Sequence, residues 1–286
     1  MRLVSLQRPD GSTALCQQLA DEYLDLTAAG LPATLDELLA QSADLNAAVA
    51  DAAARATVRY AAGSNLRHLP PVANPSKAIA VGLNYAEHAK EGSKPVPSYP
   101  VLFSRFKSSW VAHGQPLIMP RVSEQFDFEG ELVVVIGKGG RYIAKEQALT
   151  HVAGYSIFNE GSVRDYQRKS TQYLMGKNFD QSGAFGPVFV SADELPAGAK
   201  GLRLQTRLNG QVVQDASTSE MIFDVATLIA ECSNAFALTP GDIIITGTPS
   251  GVGFARTPPL FMRPGDTCEV EIEGIGTLSN TVVSAD

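Results

Sequence analysis

Cysteine is scarce in this chain: 286 residues hold three, Cys16, Cys232 and Cys268, scattered and odd in number. That excludes a disulfide-stapled scaffold and leads us to expect a reducing, cytoplasmic setting. No apolar run approaches the roughly 18 residues needed to span a bilayer. The opening Met1-Arg2-Leu3-Val4-Ser5-Leu6-Gln7-Arg8 lacks the long apolar core of a signal peptide. Basic residues are few and dispersed, 23 Lys and Arg against 30 Asp and Glu, so there is no stripe for nucleic acid and no polybasic patch for a membrane. An anionic substrate would have to be captured by a few local cations and a metal, against a net charge of −7. The glycines of Thr246-Gly247-Thr248-Pro249-Ser250-Gly251-Val252-Gly253 lack the Gly-Lys-Ser/Thr of a Walker loop, and nothing matches a dinucleotide fingerprint. What remains is an ordinary soluble globular composition, 44% hydrophobic and 19% charged, long enough for one large domain and a small one.

Against this background one run stands out: Phe126-Asp127-Phe128-Glu129-Gly130-Glu131-Leu132-Val133-Val134-Val135-Ile136-Gly137. In an extended strand alternate residues share a face, which puts Asp127, Glu129 and Glu131 together, followed by Val133 and Val135. From residue 132 both faces are apolar, so the strand runs into a core with the acids at its mouth. Crowded carboxylates beside apolar neighbours raise a pKa or bind a cation, and a hard divalent ion suits them. Spacing alone leaves a solvated or salt-bridged face open. Cys268-Glu269-Val270-Glu271-Ile272-Glu273 has the same alternation with one clean apolar face and reads as surface.

Residues 1 to 72 differ from the rest. Thr34-Leu35-Asp36-Glu37 is a capping box opening an Ala-rich helix that runs to about Thr57, and Pro70-Pro71 ends a small N-terminal domain. From Lys77 short β-type segments alternate with Gly and Pro, and Asn209-Gly210 signals a hairpin. One clear helix interrupts them, capped at Ser217-Thr218-Ser219-Glu220 and carrying an apolar stripe of Ile222, Val225, Ile229, Cys232 and Phe236. The expected fold is α+β, strand-rich, with helices peripheral to a folded-over sheet.

Two further segments carry chemistry. Asn159-Glu160 adds a carboxylate at the end of the strand-like Gly154-Tyr155-Ser156-Ile157-Phe158. His88 and Glu91 stand three apart, neighbours on a helix, where a carboxylate orients an imidazole and raises its basicity as a general base requires. A solvated surface pair has the same spacing. His68, His113 and His151 lack such a partner and read as structural or surface residues.

These pieces, taken in order, resemble the fumarylacetoacetate hydrolase superfamily over about residues 73 to 286. The motifs are Gly82-Leu83-Asn84-Tyr85 with His88 and Glu91; Asp127-Phe128-Glu129-Gly130-Glu131-Leu132; Gly154-Tyr155 with Asn159-Glu160 and Arg164-Asp165-Tyr166-Gln167; Gly176-Lys177-Asn178-Phe179-Asp180; and the turn at residues 246–253. The resemblance implies a mixed β-sandwich roll (73–286) behind the small N-terminal domain (1–72). It implies that Glu129, Glu131 and Glu160 bind Mg²⁺ or Mn²⁺, with Asp127 supporting them. The family usually has Asp at the position of Glu160. It further implies His88 and Glu91 as a catalytic dyad on a segment that orders over substrate, Lys177 as the active-site lysine, Gln167 and Thr248 as substrate contacts, and Arg164 beside them in a structural role. The implied activity is metal-dependent hydrolysis of a C–C bond in a 2,4-dioxo acid of acylpyruvate type, giving pyruvate and a second acid, by a cytoplasmic homodimer. Because the site stabilises an enolate, decarboxylation of a 2-oxo acid or keto–enol isomerisation in aromatic or sugar-acid catabolism is the alternative. Arg105 and Lys107 are cations that could meet a second carboxylate of the substrate or equally lie on the surface.

Overall fold

The computed structural model describes residues 1–62, 64 and 66–285. The first 72 residues supply β1 (Arg2–Gln7), β2 (Thr13–Gln18), β3 (Glu22–Asp25), α1 (Leu35–Gln41), α2 (Leu45–Arg55), β4 (Arg59–Ala61) and β5 (Arg67–Leu69). The single helix expected from residue 34 to 57 is two. Thr34 caps α1 by accepting from the Glu37 N–H, and Asp44 caps α2 by accepting from the Ala47 N–H. A second side-chain cap preceded by extended backbone at Ser42 ends one helix and starts another.

The middle of the chain gives β6 (Ala78–Gly82), α3 (Ala86–Glu91), β7 (Val101–Ser104), β8 (Trp110–Ala112), β9 (Leu117–Met119), β10 (Phe126–Asp127) and β11 (Gly130–Ile136). After these come β12 (Val152–Asn159), β13 (Ser162–Val163), α4 (Arg164–Gln167), α5 (Leu174–Lys177) and β14 (Gly183–Ser191). The remainder is β15 (Arg203–Leu208), β16 (Gln211–Ser217), α6 (Val225–Ala235), β17 (Ile243–Ile245), β18 (Thr267–Ile272) and β19 (Gly276–Ser284). The capping box at Ser217–Glu220 closes a single 3₁₀ turn, and α6 takes its own cap from Asp224, which accepts from the Thr227 N–H.

Among the described residues a 12-stranded sheet runs β4-β3-β2-β1-β14-β12-β11-β17-β6-β7, with β5 on β1 and β8 on β14. A five-stranded sheet runs β16-β15-β18-β19-β9, and β10 and β13 make a two-stranded ribbon. The architecture is the expected strand-rich α+β roll with peripheral helices. The N-terminal β/α region extends the large sheet, because β1 pairs with β14 at Arg2 and Val190.

β11 lies deep in this sheet, antiparallel to both β12 and β17 and buried throughout. Val133 and Val135 face a core built with Phe158, Phe185, Phe189, Ile243 and Ile245 under Leu35, Leu38 and Val49 of α1 and α2. Leu132, Val134 and Ile136 face the five-stranded sheet through Leu204, Val270 and Ile272. Each such side chain contributes about 1.5–3 kcal/mol on burial, which anchors the acidic end of the strand where acids alone would not stay. At Gly130 the two sheets approach too closely for a side chain: a Cβ there would clash with Thr206 Oγ1. The Glu269 and Glu271 run of β18 is a half-exposed face whose acids pair with Arg207, as its alternation predicts.

Candidate active site

The extended run that begins at Phe126 is interrupted. β10 ends at Asp127 and β11 starts at Gly130, so the strict alternation of three acids on one face does not hold through residues 128 and 129. Asp127 separates from the other two. Its fully buried carboxylate accepts from the N–H groups of Phe128 (2.8 Å), Gly253 (2.8 Å) and Phe254 (2.9 Å) and from Arg164 Nε (2.8 Å). It therefore pins the glycine-rich turn to the strand.

Glu129 and Glu131 meet Glu160, which follows directly on β12. One carboxylate oxygen from each lies within 4.8 Å of the others, and all three residues are buried. The register that pairs Gly130 with Asn159 brings these acids from adjacent strands to one point. Burial raises the Glu129 carboxyl, but Arg164 and Lys177 outweigh it and hold it down to about 2. Lys177 Nζ sits 2.7 Å from Glu129 Oε2 and 3.9 Å from Glu160 Oε1, and Arg164 Nη2 pairs with Glu129 Oε1. Glu131 has the opposite character: burial, then the charges of Glu160 and Glu129, push its carboxyl well above the ordinary range.

A pocket of three acids in which one resists ionisation is the donor set of a hard divalent cation, which would relieve the repulsion and favour the charged form. Glu160 Oε2 is buried with no hydrogen-bond partner, while Oε1 faces Arg105 Nη1 at 3.5 Å. An orphaned carboxylate oxygen beside two other acids fits a metal ligand. Glu131 Oε2 accepts from the Gly247 N–H. Gly247 adopts φ +99°, and a Cβ there would lie 2.7 Å from Asn84 Cβ, so only glycine brings that N–H to the acid.

Over this floor stands α3. His88 Nδ1 lies 2.8 Å from Glu91 Oε1, and Glu91 Oε2 accepts from the Gly251 N–H at 2.9 Å. Both oxygens of Glu91 are thus used to orient the ring. His88, Glu129, Glu131, Gln167, Lys177 and Thr248 line one cleft of about 590 Å³. Gln167 Oε1 accepts from Arg164 Nη1 (2.9 Å), and Thr248 Oγ1 accepts from Gln214 Nε2 (2.8 Å).

Gln214 carried no signal in the sequence. It bridges the layers, accepting from the Gly130 N–H and Thr206 Oγ1 and donating to Thr248 and the Pro249 carbonyl, a role visible only once β16 is folded beneath β11. Arg105 is also placed differently from the expectation of a substrate-facing cation. It is 3% exposed and donates to the Ser109 and Gly161 carbonyls behind Glu160, whereas Lys107 lies outside against Asn74. His68 and His113 stack edge to face at 5.0 Å away from the cleft, and His151 Nδ1 is 2.7 Å from the Lys138 carbonyl.

A carboxylate triad beneath an imidazole–carboxylate pair, set in a mixed β roll, defines a metal-associated enzyme. The family model described as fumarylacetoacetate (FAA) hydrolase C-terminal matches residues 77–283, and the chain belongs to that family. It is 41% identical over 255 residues to the mitochondrial oxaloacetate tautomerase FAHD2A of Homo sapiens, covering 88% of this chain and 81% of that protein. The mitochondrial oxaloacetate tautomerase fahd2 of Xenopus laevis is 38% identical over 290 residues, with 99% and 90% covered. Among solved structures, maleylpyruvate hydrolase from Sphingobium sp. SYK-6, in complex with manganese (II) ion and pyruvate, superposes with a TM-score of 0.83 at 26% identity, covering 100% of both chains.

These relatives correct two expectations. A hydrolase that cleaves a C–C bond gives way to tautomerase or isomerase chemistry, the activity in the names of the similar curated proteins. The motifs mark the family, and solved structures similar to this chain are named both as an isomerase and as a hydrolase, so the motifs alone do not choose the reaction. The cytoplasmic assignment is likewise overturned by relatives named as mitochondrial. Buried free thiols indicate a reducing surrounding, which is not unique to one compartment. Among the described residues no helix is long and apolar enough to cross a membrane.

Proposed function

We propose that this protein is a divalent-metal-dependent tautomerase that interconverts the keto and enol forms of an oxaloacetate-like 2-oxo acid. The observation that carries the reading is His88 held at 2.8 Å by Glu91 and lining one cleft with Glu129 and Glu131, whose acidic cluster the buried Glu160 completes. Mg²⁺ or Mn²⁺ suits an all-carboxylate donor set, and a similar structure was solved with manganese and pyruvate. When bound, the ion supplies Lewis-acid stabilisation of negative charge on the substrate's carboxylate and 2-oxo oxygens.

The chain's own groups do the rest. His88, its Nδ1 side held by Glu91, removes a proton from the carbon next to the 2-oxo group, and that proton returns to the oxygen to give the enol. Atoms are conserved: one C–H bond breaks and one O–H bond forms. Lys177, 2.7 Å from Glu129, adds a positive charge beside the developing enolate. Gln167 and Thr248 place the substrate, and Arg164 holds Glu129 and Gln167 in position. A homodimer belongs to the same reading. A solution mass near the chain mass of 30.3 kDa would remove that element.

The test is to follow keto–enol equilibration of oxaloacetate by ultraviolet absorbance with chelator-treated protein, before and after adding Mg²⁺ or Mn²⁺, with products weighed by mass spectrometry. Metal-restored acceleration without change of mass supports the reading, and His88→Gln should slow it by about 10²- to 10⁴-fold with metal affinity retained. Loss of CO₂ without accelerated tautomerisation overturns it.

A further inference from the structure

Four cationic side chains line the cleft, Lys94, Arg164, Arg168 and Lys177, and they divide into two kinds. Arg164 and Lys177 are buried, and their charge is matched by Asp127, Glu129 and Glu160. Arg164 donates from Nε to Asp127 and from Nη1 to Gln167, and its Nη2 is ion-paired with Glu129. Among the described residues Lys94 and Arg168 have no carboxylate within ion-pair distance. In a chain of net charge −7, two unmatched cations at one cleft create a local positive field where an anion would otherwise be repelled.

The two are not equivalent. Lys94 sits on the exposed loop after α3 and has no side-chain anchor among the described residues. Arg168 is the C-cap residue of α4, and its N–H bonds to the Arg164 carbonyl at 3.2 Å. Its guanidinium lies 4.5 Å from the ring centroid of Phe254, the same distance as that of Arg164. Phe254 is itself fixed, because its N–H is bound by Asp127. Partial burial and the nearby charge of Arg164 push the Arg168 pKa down, as expected for a cation facing a cation without a counter-ion. A planar guanidinium held on an aromatic platform loses little freedom when it takes a carboxylate in bidentate fashion.

We propose that Arg168 binds the second carboxylate of the substrate and makes the site selective for dicarboxylic 2-oxo acids over monocarboxylic ones. The inference rests on the reading of this cleft as a 2-oxo acid site, and it adds the charge at the far end of the substrate. The head of the substrate would be held at the acidic floor by a divalent ion that those glutamates carry, and the tail by Arg168.

The experiment uses the full-length, Mn²⁺-loaded protein and two hydroxy acids that do not tautomerise, malate and lactate, which share a head and differ by one carboxylate. The wild type should bind malate more tightly in calorimetry. Arg168→Gln should weaken malate by about 10- to 100-fold, the loss of charge-assisted hydrogen bonds, while lactate changes less than twofold. Arg168→Lys should restore part of the difference. In turnover the KM for oxaloacetate should rise by the same factor with kcat nearly unchanged. Equal weakening of both acids, no weakening of either, or transfer of the whole effect to Lys94→Gln overturns the assignment. If the wild type does not accelerate tautomerisation but the malate preference still collapses in Arg168→Gln, the reaction reading fails and the carboxylate subsite stands. The melting temperature of Arg168→Gln should match the wild type, since the residue is largely exposed.

Discussion

Replacing Asp127 by asparagine keeps size and shape and removes one charge, which makes it a sharp probe of how the floor is assembled. Two donors converge on each carboxylate oxygen, Phe128 and Gly253 N–H on Oδ1 and Arg164 Nε and Phe254 N–H on Oδ2. A carboxamide offers one acceptor oxygen, so whichever way it turns, two of the four donors meet an NH₂ group and lose their acceptor. Each buried donor left unpaired costs about 1–3 kcal/mol, and breaking a buried ion pair at Arg164 costs about 3–5 kcal/mol in all. We expect Asp127→Asn to lose about 3–5 kcal/mol in urea denaturation with an unchanged slope, a large fraction of the stability of an ordinary domain. Arg164, freed from one anchor, should hold Glu129 and Gln167 less firmly, so turnover should fall as well. A loss below about 1 kcal/mol would refute the reasoning, because it would mean that the four donors find other partners at little cost.

Four other outcomes follow from the same geometry. Chelator-treated protein should gain about 2.7 kcal/mol of stability when Mn²⁺ is raised to 100 times its Kd, and Glu129→Gln should abolish the gain, read as melting temperature against metal concentration. Arg105→Lys removes the forked guanidinium that ties Glu160 to the Gly161 and Ser109 carbonyls and should weaken Mn²⁺ binding measured by electron paramagnetic resonance, with Glu160→Asp in the same chain changing the loss non-additively because the two side chains touch. Gly247→Ala should destabilise the fold and weaken metal binding together, since its Cβ would collide with Asn84 while its backbone holds Glu131. Burial, reinforced by the neighbouring His113, pushes His68 down to about 4, so the unfolded chain takes up the proton first as pH falls. That contribution is complete above about pH 6.5 and lost progressively down to about pH 4, roughly 3 kcal/mol in total, and His68→Gln should flatten the stability–pH slope over that window.

How much of this was legible in the sequence differs from residue to residue. Local chemistry read well: Asn209-Gly210 joins β15 to β16, the apolar run after Glu131 is the buried core of β11, and Glu129, Glu131 and Glu160 converge. The convergence depended on strand register, which one-dimensional spacing suggests without fixing. Asp127 was grouped with the other acids by simple alternation, and the break at residues 128 and 129 was hidden because nothing in Phe-Glu signals that the ribbon β10–β13 ends there. Gln214 escaped, and Arg105 was noticed only as a cation without its buried partners, because a glutamine in a strand and an arginine before a turn are ordinary residues until the opposing layer supplies their partners. The choice of reaction was beyond the motifs for a different reason. The same motifs accompany similar proteins named as isomerase and as hydrolase, so they are silent on which bond of the substrate changes.

The acids sit on or directly beside the ends of the interior strands β11 and β12 of the large sheet, whereas His88 and Glu91 ride on a six-residue helix joined to the far turn through the Gly251 amide. We expect these two halves of the cleft to belong to different units of local unfolding. Backbone amides of residues 130–136 should exchange with deuterium only when the whole domain opens, while those of α3 exchange through excursions that leave the sheet intact. A mutation that retunes the helix is therefore spared the stability cost of one that retunes the floor. Such a division lets a lineage change the fate of its substrate by altering the pliable half while the rigid half is inherited unchanged.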